Sequence, residues 1–137
     1  MDKAKSLLLK NSYTCVLRKG DKVYTSRQRG VLPLLSYLDS GEDFTGFSAA
    51  DKVVGKGAAF LYCLLGVEEV WASVISQPAL EVLQSHGIRV QYEVLVPAIY
   101  NRAGTGLCPM EAATGEETDP AAALIKIRST LKMLQNG

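Results

Sequence analysis

The segment from Ser48 to Gly87 constrains the fold of this 137-residue chain more than any other part. It begins with the small residues of S-A-A-D-K-V-V-G-K-G-A-A and is predicted to form a central helix over Ser48–Leu65. The continuous apolar run Val70–Ile75 is typical of a strand in a sheet that is covered on both faces. Ser76 is then predicted to cap a second helix, which Gly87 ends. A helix, a buried strand and a second helix together indicate an α/β domain.

The flanking segments complete the predicted sheet and its helices. The predicted elements are a hairpin over 13–26, a short helix over 30–40, a strand over 88–94, a loop over 97–115 and a final helix that Asp119-Pro120 opens. The hairpin is predicted from the Gly-Asp pair at its turn, and the strand is predicted from its alternation of apolar and polar residues. The sequence therefore predicts a single domain over residues 1–137, a three-layer α/β/α structure with a mixed sheet.

Composition argues against several classes of protein. Fifteen Lys and Arg nearly balance 14 Asp and Glu, so a net charge of +1 provides no field for binding nucleic acid or a membrane surface. The three cysteines, Cys15, Cys63 and Cys108, are widely spaced, which predicts free thiols and a cytoplasmic location. The longest apolar stretch, 57–67, is shorter than the ~20 residues that a membrane-spanning helix needs.

The first candidate site lies at the predicted start of the central helix. Ser48 and Asp51 have the spacing of a capping box, in which Asp51 has only a structural role. Lys52 and Lys56 are harder to explain, because two positive charges one turn apart would lie at the positive end of the helix dipole. Either a carboxylate of the protein or a bound anion would relieve this repulsion, and the surrounding small residues leave room for a ligand.

The second candidate site is the sequence N-R-A-G-T-G-L-C-P-M-E, which ends at Glu111. Its candidate ligand-binding residues are Arg102, Gly104, Thr105, Gly106, Cys108 and Glu111. The glycines permit backbone geometries that other residues resist, and Cys108 becomes nucleophilic if a base or a cation lowers its pKa. The alternative interpretation is a turn in which Cys108 is a small buried hydrophobe and Glu111 begins a helical turn.

Three other residues have structural interpretations. His86 is predicted in the last turn of its helix, where a histidine suits the negative end of the dipole. Cys63 lies within an apolar run and is predicted to belong to the core, and Trp71 is predicted to be a core or interface aromatic.

The two candidate sites and S-Q-P-A-L-E-V-L together resemble the family called domain of unknown function 1893, over roughly Tyr13–Glu111. The resemblance implies a fold like that of cytidine deaminases, with a site at two helix N-termini. Zinc deaminases need H-x-E or C-x-E at one helix start and P-C-x-x-C at the next. Here Ala49–Lys52 contains no His, Cys or Glu, and Ala79 and Val82 replace the two thiolates. We therefore expect no metal and no cofactor.

Three functions fit these observations. The first is a binding module, in which Asp51, Lys52, Lys56 and the loop 104–108 share one cleft and hold a small anionic or nucleotide-like ligand. The second is a metal-free enzyme, in which Asp51 is the acid or base, the lysines supply positive charge and Cys108 is the candidate nucleophile. The third is a structural partner protein that uses its last helix as a contact surface.

A homodimer is also expected, since the resemblance to deaminase-like domains implies one. Leu124, Ile127, Leu131 and Leu134 form an apolar stripe on the final helix, and this stripe can cover other parts of the same chain. Ile125 and Met133 lie beyond the stripe and widen the apolar surface, so they mark a candidate dimer seam.

Overall fold

The computed structural model describes residues 2–101 and 104–136, within which it contains five strands and six helices. In chain order these are α1 (Asp2–Lys10), β1 (Cys15–Lys19), β2 (Lys22–Ser26), α2 (Leu32–Asp39), β3 (Ser48–Val54), α3 (Lys56–Leu65), β4 (Glu69–Ser76), α4 (Gln77–Ser85), β5 (Arg89–Val96), α5 (Pro109–Thr114) and α6 (Pro120–Asn136). The predicted α/β fold with a mixed sheet is confirmed.

The strands form one sheet in the order β2-β1-β3-β4-β5. β1 is antiparallel to both of its neighbours, whereas β3, β4 and β5 are parallel to one another. Gly20, with φ of +59°, occupies the first central position of the β1–β2 turn, as the predicted hairpin requires. Because β3, β4 and β5 run in one direction, the chain leaves all three at the same edge of the sheet. The candidate site lies at this edge.

Helices cover the two faces of the sheet unequally. The main core lies on one face, where residues of α2, α3, α4 and α6 pack together with residues of the strands. On the other face, Leu8 of α1 belongs to a separate buried cluster with Val16, Ala50 and Trp71. The sequence did not predict α1, since a nine-residue helix is marginal alone and depends on this packing.

The largest difference from the sequence prediction lies at residues 48–54, which form strand β3 and not the first half of a helix. The residues A-A-D-K have a local preference for helix, but the segment pairs with β1 on one side and β4 on the other. Gly55 then takes an extended conformation, with φ of −93° and ψ of 178°, and α3 begins at Lys56. The predicted capping box of Ser48 and Asp51 and the helical pair of lysines are therefore wrong.

The predicted helix caps agree with the structure. The Ser76 hydroxyl accepts a hydrogen bond from the Ala79 amide at 3.2 Å, and Gly87 follows the end of α4 with φ of +76°. Asp119 Oδ2 accepts from the Ala122 amide at 3.0 Å and caps α6. The predicted loop 97–115, by contrast, contains the short helix α5.

No helix in the described parts of the chain is long and apolar enough to cross a membrane.

Candidate functional site

A buried carboxylate, that of Glu111, lies where α3 and α4 begin. Glu111 Oε1 accepts a hydrogen bond from the backbone N–H of Lys56, the first residue of α3. Ser76 Oγ, at the cap of α4, donates to the same oxygen at 3.5 Å. Glu111 Oε2 accepts from the Ile99 amide at 3.0 Å. One side chain thus joins α3, α4 and the segment that follows β5.

The position of Glu111 suits a negative charge. The first N–H groups of a helix have no partner within the helix, and the aligned peptide dipoles make this end positive. The Glu111 side chain is 5% exposed, so its charge is stabilised by these donors and not by bulk water. The protein therefore supplies its own anion at an anion-binding position, which is one of the two alternatives left open by the sequence.

Glu111 lies on α5, and the glycines that flank Lys56 allow α5 to approach the start of α3 closely. A Cβ atom at Gly55 would lie 3.0 Å from Glu111 Oε1, and a Cβ atom at Gly57 would lie 3.2 Å from Met110 Cβ. The small residues in this part of the sequence thus leave room for another segment of the same chain.

Gly55→Ala is therefore expected to displace the Glu111 carboxylate and to lower the free energy of unfolding by about 1–2 kcal/mol. The backbone of Gly55 is extended, so the loss comes from the close contact and not from backbone strain. Gly106→Ala is the matched control, because a Cβ atom there meets nothing within 4 Å. Urea denaturation of both variants measures the difference, and equal stability would contradict the proposed close contact.

Lys56 is held within the fold through its side chain as well as its backbone. Its Nζ donates to the carbonyl oxygen of Gly115 at 2.8 Å, just after the end of α5. Lys52 lies on β3, where its side chain is exposed and its backbone N–H donates to the Thr14 carbonyl at 3.2 Å. The predicted repulsion between two lysines on one helix face therefore does not arise.

Asp51 lies in the core and belongs to a buried polar cluster. The Tyr62 hydroxyl donates to Asp51 Oδ2 at 2.7 Å, and the Val53 amide donates to Oδ1 at 3.3 Å. Cys15 Sγ lies 3.4 Å from the same tyrosine hydroxyl. Burial raises the pKa of Asp51 to about 7, although the hydrogen bond from Tyr62 acts in the opposite direction. Burial also raises the pKa of the Cys15 thiol, which stays protonated at neutral pH.

The loop 104–108 is organised by its own hydrogen bonds. The Thr105 amide donates to Asn101 Oδ1 at 3.1 Å, and Gly104 has a positive φ of +71°. Cys108 is half-buried at the cap of α5, and its amide donates to the Ile99 carbonyl at 2.9 Å. Arg102, another predicted site residue, lies outside the described residues.

The structure thus brings together only some of the predicted site residues. Lys56 and Glu111 are in direct contact, and Cys108 lies three residues before Glu111 at the start of α5. Asp51 points into the core and Lys52 is exposed on β3. Sequence reasoning missed the Ile99 amide as a partner of Glu111, and a main-chain donor has no signature in the sequence.

An open groove of about 430 Å³ lies at the edge of the sheet where the parallel strands end. Its lining consists of Gln77, Pro78, Leu95, Val96 and Pro97. Two of the lining residues are close in sequence to groups that hold Glu111, since Gln77 follows Ser76 and Pro97 lies two residues before Ile99. Open α/β sheets commonly bind ligands outside the carboxyl ends of their strands.

The residues at the two helix starts do not fit the zinc site of deaminases. Because α3 begins at Lys56, the residues to compare with H-x-E are Gly55, Lys56 and Gly57, and not the four from Ala49 to Lys52. His86 caps the opposite end of α4, where its Nδ1 lies 2.9 Å from the Val82 carbonyl oxygen. Within 2–101 and 104–136, no group of three or more His, Cys, Asp or Glu could hold a metal ion.

The sequence matches, over residues 3–131, the family model described as a domain of unknown function (DUF1893). The chain belongs to this family. A DUF1893 family protein (TM1506) from Thermotoga maritima has a similar structure, with a TM-score of 0.87 and 25% sequence identity. That similarity covers 93% of this chain and 87% of the other. The family expected from the sequence motifs is thus confirmed.

Two solved deaminases are more distant structural neighbours of this DUF1893 chain. A dCMP deaminase from the cyanophage S-TIM5 has a TM-score of 0.47 at 16% identity, with 66% of this chain and 91% of that chain covered. A diaminohydroxyphosphoribosylaminopyrimidine deaminase/5-amino-6-(5-phosphoribosylamino)uracil reductase from Thermotoga maritima has the same TM-score and identity, with 68% and 35% covered. This likeness is one of fold, and no reaction or substrate is inferred from it. The search of curated proteins found no significant match.

Proposed function

We propose that this DUF1893 domain binds a small anionic or nucleotide-like ligand at the sheet edge where α3 and α4 begin. The observation that carries the proposal is the Glu111 carboxylate, which accepts hydrogen bonds from the first amide of α3 and from Ser76. A phosphate or carboxylate of a ligand has oxygen atoms of the same kind and suits the same donors. Glu111 then acts as the internal occupant that a ligand displaces.

A ligand in place of Glu111 would also give the Lys56 side chain an anionic partner. Lys56 Nζ is now bonded to a main-chain carbonyl of Gly115, and an anion in place of Glu111 would offer it a charged partner. The loop 104–108 connects to α5, so it would move with Glu111. The groove at the ends of β4 and β5 is the proposed place for the rest of the ligand. In this proposal Asp51 does not contact the ligand and has a structural role on β3, in the core.

The alternative of a metal-free enzyme has less support. Its acid or base, Asp51, is 8% exposed and hydrogen-bonded to Tyr62 in the core, away from a bound substrate. Neither nucleic acid nor a membrane is part of the proposal, given the net charge of +1. The three cysteines of the chain are free thiols, which supports a location in the reducing cytoplasm.

The proposal is tested by anion rescue of a variant that lacks the internal carboxylate. Glu111→Ala leaves the donors empty, whereas Glu111→Gln fills the same space with a neutral group. We expect phosphate and nucleoside monophosphates to raise the Tm of Glu111→Ala more than that of the wild type. At a ligand concentration of about 100 times Kd, the stabilisation is roughly 2.7 kcal/mol.

Glu116→Ala, an exposed site on the same segment, is the control for a general salt effect. Nucleosides without phosphate separate recognition of the base from recognition of the anion. Equal Tm shifts in Glu111→Ala, Glu116→Ala and the wild type for every anion would sink the proposal.

A further inference from the structure

The strand β5 forms one edge of the sheet, and β4 is its one neighbouring strand within the described parts of the chain. The side chains from Gln91 to Leu95 are all exposed, with 42% exposure at Tyr92 and 47% at Val94. The opposite edge strand, β2, has five residues and begins with Lys22, and short edge strands and edge lysines prevent unwanted pairing. β5 has eight residues, and its exposed segment carries a single charge. It is therefore the less protected edge of the sheet.

The main chain of β5 presents free hydrogen-bonding groups along this edge. The Arg89 amide donates to the Glu68 carbonyl at 3.1 Å, so the main chain of Arg89 faces β4. The register with β4 does not shift between the first and the last pair of the two strands, and successive residues of a strand direct their main-chain groups to opposite sides. The N–H and C=O groups of Val90, Tyr92 and Val94 therefore point outward. They have no hydrogen-bond partner within residues 2–101 and 104–136.

We propose that β5 pairs with β5 of a second copy of this chain, in antiparallel orientation, so that one sheet continues through a homodimer. A row of free N–H and C=O groups on an extended main chain is completed by another extended strand. Two identical antiparallel strands are related by a two-fold axis, and this symmetry closes the assembly at two copies.

The sequence of β5 is self-complementary about Tyr92, because residues 90–94 read V-Q-Y-E-V, almost the same in both directions. With the two-fold axis at Tyr92, the two tyrosines face each other and Val90 lies opposite Val94 of the partner subunit. These are the residues whose main-chain groups point outward, so the three pairs exchange about six hydrogen bonds, two in each pair. Gln91 lies opposite Glu93 of the partner subunit, where an amide donor meets a carboxylate and like charges do not meet.

The final helix α6 is the competing seam, because Ile125 and Met133 are each 71% exposed. The main-chain groups of a helix are bonded within the helix, so this surface presents side chains alone. The neighbouring cations, Lys126 and Arg128, already form ion pairs within the chain at 2.7 Å each. The α6 surface therefore offers apolar contact without the directional bonds of β5.

Sedimentation equilibrium of the full chain, up to ~100 µM, measures the dimer Kd and tests the role of the main chain. Val94→Pro removes an outward N–H group and no bond to β4, since proline is tolerated where the N–H of an edge strand faces away from the sheet. It is expected to raise Kd at least about thirtyfold, because the symmetric interface loses two hydrogen bonds. Val94→Ala is the matched control, which keeps the N–H group and is expected to raise Kd at most about fivefold. Circular dichroism checks that both variants remain folded.

Two substitutions of Gln91 test the position of the two-fold axis. Gln91→Lys places a cation opposite Glu93 of the partner subunit and is expected to lower Kd about fivefold, whereas Gln91→Glu is expected to raise it about fivefold. An axis at Gln91 would instead bring two lysines together, and Gln91→Lys would then raise Kd. Both variants keep the main chain of β5, so they test the pairing even if Val94→Pro fails to fold.

Ile125→Glu/Met133→Glu is the control on α6 and is expected to leave Kd unchanged. A monomeric wild type, equal Kd values for folded Val94→Pro and Val94→Ala, a dimer that only the α6 variant dissociates, or the reverse order of the two Gln91 variants would each overturn the proposed pairing. Ligand binding is measured separately through Glu111→Ala, so the two proposals can fail independently.

Discussion

Glu111→Ala is expected to lower the free energy of unfolding by about 3 kcal/mol, which corresponds to a fall in Tm of roughly 10 °C for a chain of this size. The substitution removes the acceptor of the Lys56 and Ile99 amides and of the Ser76 hydroxyl. Ser76 and Glu111 are buried, whereas Lys56 and Ile99 are partly buried, and a donor that is left unpartnered in such a place loses hydration without full compensation. The N-terminus of α3 also loses the negative charge that its dipole favours.

Urea denaturation of Glu111→Ala, Glu111→Gln and Glu116→Ala measures this effect. The glutamine variant keeps one acceptor oxygen and is expected to lose about half as much stability, since its amide group cannot accept at the second position. Glu116→Ala is expected to change the free energy of unfolding by less than about 0.5 kcal/mol. If Glu111→Ala proves as stable as Glu116→Ala, Glu111 is not what joins α3, α4 and the segment after β5.

The stability of the wild-type protein is expected to fall by roughly 2–3 kcal/mol between pH 5 and pH 8 through Asp51 alone. Burial raises the pKa of Asp51 in the folded protein to about 7, against 3.8 for the exposed side chain. Between these two values, the folded state binds a proton that the unfolded state has lost. The contribution of Asp51 to stability is therefore largest below pH 4, and it is lost as the pH rises to 7.

Asp51→Asn isolates this effect, because the other titrating groups are the same in both proteins. The asparagine oxygen can accept from Tyr62 but its amide then faces the Val53 amide, so we expect the variant to be about 1 kcal/mol less stable at pH 5. By pH 8 the variant is expected to be the more stable protein, since it has no carboxylate to ionise in the core. A stability difference that stays constant from pH 5 to pH 8 in urea denaturation would contradict this assignment.

Local signals in the sequence were sufficient for much of the fold. Ser76 and Asp119 cap helices, and Gly87 ends one, because each acts on amides or dihedral angles within a few residues. The apolar run of β4 and the alternation of β5 also identify strands without reference to the rest of the chain. The motif combination of the family was equally visible, and the resemblance implied a site at two helix N-termini, which stays a prediction.

The tertiary structure alone decided the conformation of residues 48–54 and the partners of Glu111. Ser48–Val54 is a strand because β1 and β4 pair with it from distant parts of the chain, and this pairing outweighs a local helix preference of a few tenths of a kcal/mol per residue. Asp51 is buried for the same reason, since its strand lies over Tyr62. Glu111 is 55 residues from Lys56, and only the packing of α5 on α3 brings its charge to the first amide of that helix.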